Sequence, residues 1–101
     1  MSYDDVHQGI TKYIYAYRNK VAGIFYQPFI LDDNVKLTYD KLVRTVQLDN
    51  AASKNLRHLE LWILGTYLDN EGVINPDKQF ICDIDDILAR VGQSLEKEEA
   101  N

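Results

Sequence analysis

Residues 51–70, AASKNLRHLELWILGTYLDN, change character halfway along their length, and the predicted fold depends on how they are interpreted. Residues 53–58 are polar except for Leu56, whereas the part from Leu59 onward is apolar at most positions. A helix that is apolar on all sides has to be buried. The sequence therefore predicts a helix over 51–70 whose second half lies in the core and whose first half projects toward solvent or a partner.

The segment at the start of the chain predicts a long amphipathic helix that begins at Ser2 and ends between Ala22 and Tyr26. Ser2 followed by Asp5 is a variant of the capping box, and Pro28 disfavours helix in the residue before it. The apolar residues recur at helical spacing, and they are Val6, Ile10, Tyr13, Ile14, Tyr17, Val21 and Ile24. One face of this helix is expected to be buried.

Residues 29–38 fit two interpretations, a short hairpin or the lead-in to the second predicted helix. If the helix includes Val35, then Asp33 or Asn34 caps it, and otherwise Thr38 is the cap. In either case the pattern predicts a helix over about 39–46.

A hairpin and a last helix are predicted after residue 70. Asn75-Pro76-Asp77-Lys78 has the residue types of a type I turn, and apolar runs flank it. Asp83 is placed to cap a helix. The apolar stripe of that helix consists of Ile84, Ile87, Leu88, Val91 and Leu95. A single helical domain is therefore expected over 1–95, followed by a frayed acidic tail over 96–101.

Together these elements predict a mainly α fold with a minor β component. Their order is helix, optional strand, helix, helix, hairpin, helix, which is similar to that of winged-helix domains. In that arrangement the helix over 51–70 reads DNA and the turn at 75–78 is the tip of the wing. A small four-helix bundle fits the same elements. The resemblance is one of element order, and no motif points to a particular family.

Composition and charge exclude several classes of protein. Cys82 is the one cysteine of 101 residues and cannot form an internal disulfide. No apolar run is longer than five residues, far fewer than the roughly 20 that a membrane-spanning helix needs. We therefore expect an intracellular, cytoplasmic protein without membrane association, or a nuclear or nucleoid-associated one if it binds DNA.

Charge is distributed unevenly along the chain. The net charge is −5 and the isoelectric point is about 4.8, which argues against phosphate binding over the whole surface. Residues 36–58 contain five cations and two anions, so this stretch carries +3 and the rest carries −8. A basic patch on an acidic protein is therefore expected.

Motifs for catalysis, metal binding or cofactor binding are missing from the sequence. His7, His58 and Cys82 are too scattered for a metal site. The five glycines are isolated, so there is no glycine-rich loop for a phosphate group. We expect neither an enzyme nor a bound metal or cofactor.

Two hypotheses for binding follow. The first is a non-enzymatic protein-interaction module, a regulatory or adaptor subunit that docks onto another protein, inhibits a basic partner or forms a homodimer. Its candidate contacts are Tyr15, Arg57, His58, Asp83, Asp85 and Asp86. The alternative is a winged-helix DNA-binding regulator of transcription or replication. Its candidate contacts are Lys41, Arg44, Lys54, Asn55, Arg57 and Lys78. The negative net charge favours the first hypothesis.

Overall fold

Strands dominate the computed structural model, which describes residues 9–91. Of these residues 42% lie in strands and 34% in helices. A curled antiparallel sheet forms a half-barrel, and the three helices of the described part accompany it. The prediction of a mainly α fold is therefore wrong, as are the winged-helix order and the four-helix bundle.

Five strands form the sheet, and all of their pairings are antiparallel. They are β1 (Thr11–Asn19), β2 (Ile24–Phe25), β3 (Phe29–Leu31), β4 (Leu59–Leu68) and β5 (Val73–Asp83). The order across the sheet is β2-β1-β4-β5, and β3 pairs with β1 as well. Register shifts interrupt the β1–β4 pairing once and the β4–β5 pairing twice. Such bulges bend strands and increase their twist, which accounts for the curl.

The long first helix that the sequence predicts is not formed in the described residues, where β1 and β2 take its place. Tyr13, Tyr15 and Tyr17 alternate along β1 and pack against the core. Tyr13 and Tyr17 are also four residues apart, so the same side chains satisfy a helical stripe. Aromatic and β-branched residues favour strands, and pairing with β4 along the whole of β1 decides the outcome. Residues 1–8, including the predicted cap, lie outside the described part.

The helix predicted over 51–70 is also wrong. Its polar first part is a short helix, α2 (Asn50–Asn55), and its apolar part is β4. Leu59, Leu61 and Ile63 are buried and alternate with partly exposed residues, as in a strand. A strand that is apolar on both faces cannot be told from a buried helix by composition alone, which is why the two were confused.

The turn predicted at 75–78 is wrong as well, because β5 continues through these residues. The β4–β5 hairpin turns at 69–72 instead, where Gly72 adopts a φ of 65°. Left-handed backbone of this kind is the usual reason for glycine in a tight hairpin. Pro76 is tolerated inside β5 because this strand is at the edge of the sheet and need not donate a hydrogen bond on its free side.

Two predicted helices are confirmed. The helix α1 (Val35–Leu48) includes Val35, and the side chain of Asn34 accepts a hydrogen bond of 2.9 Å from the amide of Leu37. A third helix, α3, occupies 84–91, the last described residues, and the Asp83 side chain caps it by accepting 2.9 Å from the amide of Asp85. Leu95 and the acidic tail lie outside the described residues.

The core lies between the inner face of the sheet and the helices. Its buried side chains come from β1, α1, β4, β5 and α3, and they are Tyr15, Leu42, Val46, Leu59, Leu61, Ile63, Cys82, Ile84 and Ile87. The opposite, outer face of the sheet retains large exposed apolar side chains. Among the helices that the structure describes, none has the length and apolar character needed to cross a membrane.

Candidate functional site

The outer face of the sheet carries a row of aromatic side chains. Trp62 of β4 pairs with Ala16 of β1 on one side and with Phe80 of β5 on the other. Residues opposite each other in antiparallel strands share a face, and Ala16 alternates with the inward-facing tyrosines. Phe25 pairs with Arg18, which lies two residues from Ala16 and so shares its face. We call Phe25, Trp62 and Phe80 the aromatic face.

The three rings form one continuous cluster. Trp62 packs edge-on against Phe25 and Phe80, with ring centroids 5.5 Å and 5.6 Å apart. The ammonium of Lys78 lies 5.8 Å from the centroids of both Phe25 and Trp62. These distances place the cation within reach of the electron-rich ring faces, where it is attracted by their quadrupoles.

A polar network holds Trp62 in place. Its indole Nε1 donates 3.0 Å to Glu60 Oε1, and Arg18 Nη1 donates 3.2 Å to the same oxygen. The Arg18 guanidinium also lies 5.9 Å from the ring centroid of Phe25. Because its one donor is satisfied within the chain, Trp62 has fewer rotamers to lose when something docks on it.

The aromatic face is exposed far more than a folded sheet requires. Phe25 and Phe80 are 38% and 52% exposed, and Ile30 of β3 and Ile74 of β5 are 50% and 60% exposed. Scattered apolar residues on a surface are ordinary, but contiguous ones mark binding sites. The aromatic face is therefore the best candidate for a docking surface.

Sequence reasoning missed the aromatic face completely. The signal was present, because Leu59, Leu61 and Ile63 alternate with Glu60 and Trp62 at the period of a strand. Once 59–68 is assigned to a strand, its second face needs a cover or a partner. The helical interpretation placed the same residues in a core.

A second feature is a cavity of about 480 Å³ beside α2 and α3, which we call the basic cavity. Its lining is Ser53, Lys54, Arg57, His58, Asp85, Leu88 and Ala89. Three of the residues predicted from the sequence as partner contacts, Arg57, His58 and Asp85, thus meet here. Two permanent cations face a single carboxylate, so the lining is positive in a protein that is negative overall.

Asp85 organises the wall of the basic cavity. Its Oδ1 accepts 3.0 Å from the amide of His58, and its Oδ2 lies 3.3 Å from His58 Nδ1 and 3.0 Å from Lys20 Nζ. The carbonyl of His58 accepts 3.0 Å from the amide of Lys20. These contacts hold His58 at a φ of 67°, a backbone conformation that is uncommon for any residue but glycine.

The serine, histidine and aspartate of the basic cavity do not form a catalytic triad. The Ser53 hydroxyl contacts the backbone carbonyls of Val46 and Asp49 at 2.8 Å and 2.9 Å, and in the described part of the chain it makes no hydrogen bond with His58. A nucleophilic hydroxyl needs a base within hydrogen-bonding distance. Ser53 therefore acts as a structural link between α1 and α2.

Other candidates for chemistry are inert in this fold. Cys82 is buried, and burial raises the pKa of its thiol to about 11, so the reactive thiolate is scarce at neutral pH. Within residues 9–91, no group of three or more histidine, cysteine, aspartate or glutamate side chains is arranged to hold a metal ion.

Tyr15 does not lie where the sequence interpretation placed it. The helical prediction put it on the exposed side of a helix, as an anchor for a partner, whereas its side chain is 0% exposed. Its hydroxyl donates 2.8 Å to the carbonyl of Asp33 and accepts 3.1 Å from Thr38 Oγ1. Tyr15 is therefore a core residue that links β1 to the start of α1.

The acidic candidates are partly engaged by neighbours. Asp83 contacts Lys20 at 2.7 Å and caps α3, and Asp85 shares the same lysine. Asp86 is exposed on α3. Two of the three carboxylates proposed for a basic partner are thus already paired.

The candidates for DNA contact are spread over different surfaces. Lys41 and Arg44 are on α1, and Lys41 contacts Asp33 at 2.7 Å. Lys54 and Asn55 end α2, whereas Lys78 lies on the aromatic face. The recognition helix predicted over 51–70 is not formed in the described residues, and of this set the structure brings Lys54 and Arg57 together, at the basic cavity.

The ion pairs of Asp85 lead to a prediction about acid stability. Hydrogen bonding from the amide of His58, and then the charge of Lys20, lower the pKa of Asp85 below its usual 3.8, although burial opposes them. The unfolded chain therefore takes up the proton first, so this stabilisation is complete above about pH 4 and is lost as the pH falls through the folded pKa. Asp85→Asn should flatten the fall in the urea midpoint between about pH 6 and about pH 3.

The control for this experiment is Asp86→Asn, which removes an exposed carboxylate from the same helix. Its midpoint should follow that of the unmodified protein over the whole pH range. An unchanged slope for Asp85→Asn would contradict the assignment of acid sensitivity to Asp85.

Comparison with known proteins finds no matching family model, no similar curated protein and no similar solved structure. Function is therefore argued from the aromatic face and the basic cavity.

Proposed function

We propose that this chain is a small non-enzymatic interaction module that docks onto another protein through the aromatic face. The observation that carries the proposal is the cluster of Phe25, Trp62 and Phe80, whose two phenylalanines are exposed on a sheet surface that no element among residues 9–91 covers. Aromatic residues and arginine are enriched at the centres of protein interfaces, and tryptophan is prominent among the residues that dominate binding energy.

The chemistry of the surface suggests the kind of partner. Lys78 contacts two rings, and in the described part of the chain it has no carboxylate within salt-bridge distance. An apolar partner surface that carries an acidic side chain would cover the rings and pair with this lysine. Such charge complementarity contributes mainly to specificity and to the rate of association.

Docking on the face agrees with features that discourage docking on the edge of the sheet. The edge strand β5 contains Pro76 and Lys78, and two register shifts interrupt its pairing with β4. Proline, lysine and bulges are the usual devices that prevent edge-to-edge pairing between sheets.

The sequence offers a direct probe, because Trp62 is the single tryptophan of the chain. A photoreactive phenylalanine analogue placed at residue 80 should form a crosslink with one defined protein in the native host, and the same analogue at Leu48 should not. Leu48 is a matched control because it is 75% exposed at the end of α1. The purified partner should then shift the Trp62 emission to shorter wavelength.

Phe80→Ser is expected to raise the dissociation constant for that partner about thirtyfold, the effect typical of an interface residue worth about 2 kcal/mol. The substitution removes the ring that packs against Trp62 from the β5 side, while the fold is retained because Phe80 is 52% exposed. Titration of Trp62 fluorescence measures the constant, and Leu48→Ser should leave it unchanged.

Three results would count against docking onto another protein. Equal crosslinking from residues 80 and 48 would show that the aromatic face is not selective. A crosslinked product of twice the chain mass would assign the surface to a second copy of the chain. A product that disappears on nuclease treatment would assign it to nucleic acid, whose bases also stack on aromatic side chains.

A further inference from the structure

The basic cavity is a separate site, on the side of the molecule formed by α2, α3 and the turn at 56–58. We propose that it binds a phosphorylated small molecule, with the phosphate held by Lys54, Arg57 and His58 and the apolar part of the ligand against Leu88 and Ala89. This proposal does not depend on the docking function.

The cations of the cavity are available to a ligand. Lys54 and Arg57 are both exposed, and neither has an ion pair among the described residues. Lysine acts as a mobile point charge, whereas the guanidinium of arginine offers a planar set of donors that matches a phosphate. Two unpaired cations in one concave surface are therefore a ready source of charge-assisted hydrogen bonds.

Asp85 does not oppose an anion as an isolated carboxylate would. Both of its oxygens are engaged, Oδ1 by the amide of His58 and Oδ2 by Lys20 and the His58 ring. Its charge is thus offset in part by Lys20, which lies outside the cavity lining and is shared with Asp83. Asp85 is therefore a positioning residue, because it holds the backbone and ring of His58 against the cavity.

The imidazole of His58 presents one ring nitrogen to a ligand. Because Nδ1 faces Asp85 at 3.3 Å, Nε2 is the nitrogen left for it. The left-handed backbone at residue 58, with its φ of 67°, supplies an independent observation, since such strain is concentrated at ligand sites.

Size and donor number identify the chemical class. A volume of about 480 Å³ lies in the range of small-molecule sites and exceeds what inorganic phosphate needs. The ammonium of Lys54 and the guanidinium of Arg57 together offer more than two charged N–H donors, which suits the three terminal oxygens of a phosphate monoester better than the two oxygens of a carboxylate. Leu88 and Ala89 provide an apolar wall for the group that the phosphate is attached to.

Phenyl phosphate is a suitable probe because it combines a phosphate monoester with a compact apolar group. Titration followed by amide resonances of the full chain should show saturable shifts at His58 and Leu88. Phenyl phosphate should bind more tightly than both inorganic phosphate and benzoate. Equal binding of inorganic phosphate would overturn the role of the apolar wall, and equal binding of benzoate would overturn the choice of phosphate.

Arg57→Gln should weaken phenyl phosphate binding about tenfold, the usual cost of losing a hydrogen bond to a charged group. The matched control is Arg44→Gln, which removes an exposed arginine of α1 outside the cavity. Equal weakening by both variants, or the absence of saturable binding to the unmodified protein, would overturn the proposal.

Two further measurements test the class of ligand and the independence of the cavity from the aromatic face. A short phosphotyrosine peptide that binds more tightly than phenyl phosphate would overturn the assignment to a small molecule in favour of a modified protein. Phe80→Ser should leave phenyl phosphate binding unchanged, and a loss of binding in this variant would show that the cavity is not a separate site. The failure of the phosphate-binding proposal can thereby be distinguished from the failure of the docking proposal.

Discussion

Replacing Tyr15 by alanine is expected to remove most of the stability of the fold. The side chain is 0% exposed and packs against Phe29 with ring centroids 6.0 Å apart. Removing a fully buried aromatic side chain typically costs about 3–5 kcal/mol, because the cavity left behind collapses only in part. A domain of this size is stabilised by roughly 5–15 kcal/mol in total, so the midpoint of urea unfolding should fall sharply.

A second substitution separates the ring of Tyr15 from its hydroxyl. Tyr15→Phe keeps the packing but leaves the carbonyl of Asp33 without the 2.8 Å hydrogen bond from the hydroxyl. Thr38 Oγ1 also contacts that carbonyl, at 3.3 Å, so the expected loss is about 1 kcal/mol, the net contribution of one hydrogen bond. Tyr26→Ala is the control, since Tyr26 is 42% exposed. An unfolding midpoint for Tyr15→Ala equal to that of the unmodified protein would contradict the buried position of this tyrosine.

Gly65→Val is expected to have the next largest effect on stability. A Cβ atom at residue 65 would lie 3.1 Å from the carbonyl carbon of Asn75 and from Cα of Pro76, and would clash with the carbonyl oxygen of Asn75. These are backbone atoms of the paired strand β5, so they cannot rotate away. The φ of 159° adds strain for a side chain. We expect a loss of about 3 kcal/mol in the free energy of unfolding.

Gly72→Ala is the matched control for Gly65→Val. Gly72 has a φ of 65°, but a Cβ there would meet no atom within 4 Å. The substitution therefore incurs only the cost of left-handed backbone, about 1–2 kcal/mol. Thermal or urea unfolding of the two variants measures the difference. A loss at Gly72 as large as that at Gly65 would show that backbone conformation, and not the close approach of β5, governs both positions.

The helix starts were predictable because their signals are local. A capping side chain bonds to an amide two or three residues away, so Asn34 and Asp83 act within their own segments of sequence. The burial of Ile84 and Ile87 is equally local in origin, because it follows from their helical spacing in the sequence. For these elements tertiary contacts and local preference agree.

The strands were not predictable from the same patterns. In β1 the tyrosines satisfy both a helical and a strand period, and in β4 both faces are apolar. Periodicity alone then cannot distinguish a helix from a strand, because the outcome depends on whether a partner strand is present. The turn at 69–72 was equally hidden, since the Asn-Pro pair of β5 is a stronger turn signal than the glycine that is used.

The candidate sites were also predictable only in part. Arg57, His58 and Asp85 were identified from residue type, but no sequence pattern indicates that they lie together, since 27 positions separate His58 from Asp85. The aromatic face was missed because a strand that presents Trp62 to solvent looks like the buried half of a helix. Tyr15 was assigned to the surface through the same error, and the structure places it in the core.

By itself the amino-acid sequence determined the cap of α3, three candidates for the cap of α1, the absence of an internal disulfide, the negative net charge and the residue types available for binding. Only the tertiary structure decided that 11–19 and 59–68 are strands, which side of the sheet faces solvent, and which charged groups form the basic cavity. The physical reason is the distance along the chain over which each interaction acts. Caps and charges act over a few residues or need no partner, whereas a strand satisfies its backbone and buries its side chains only against segments that are distant along the chain.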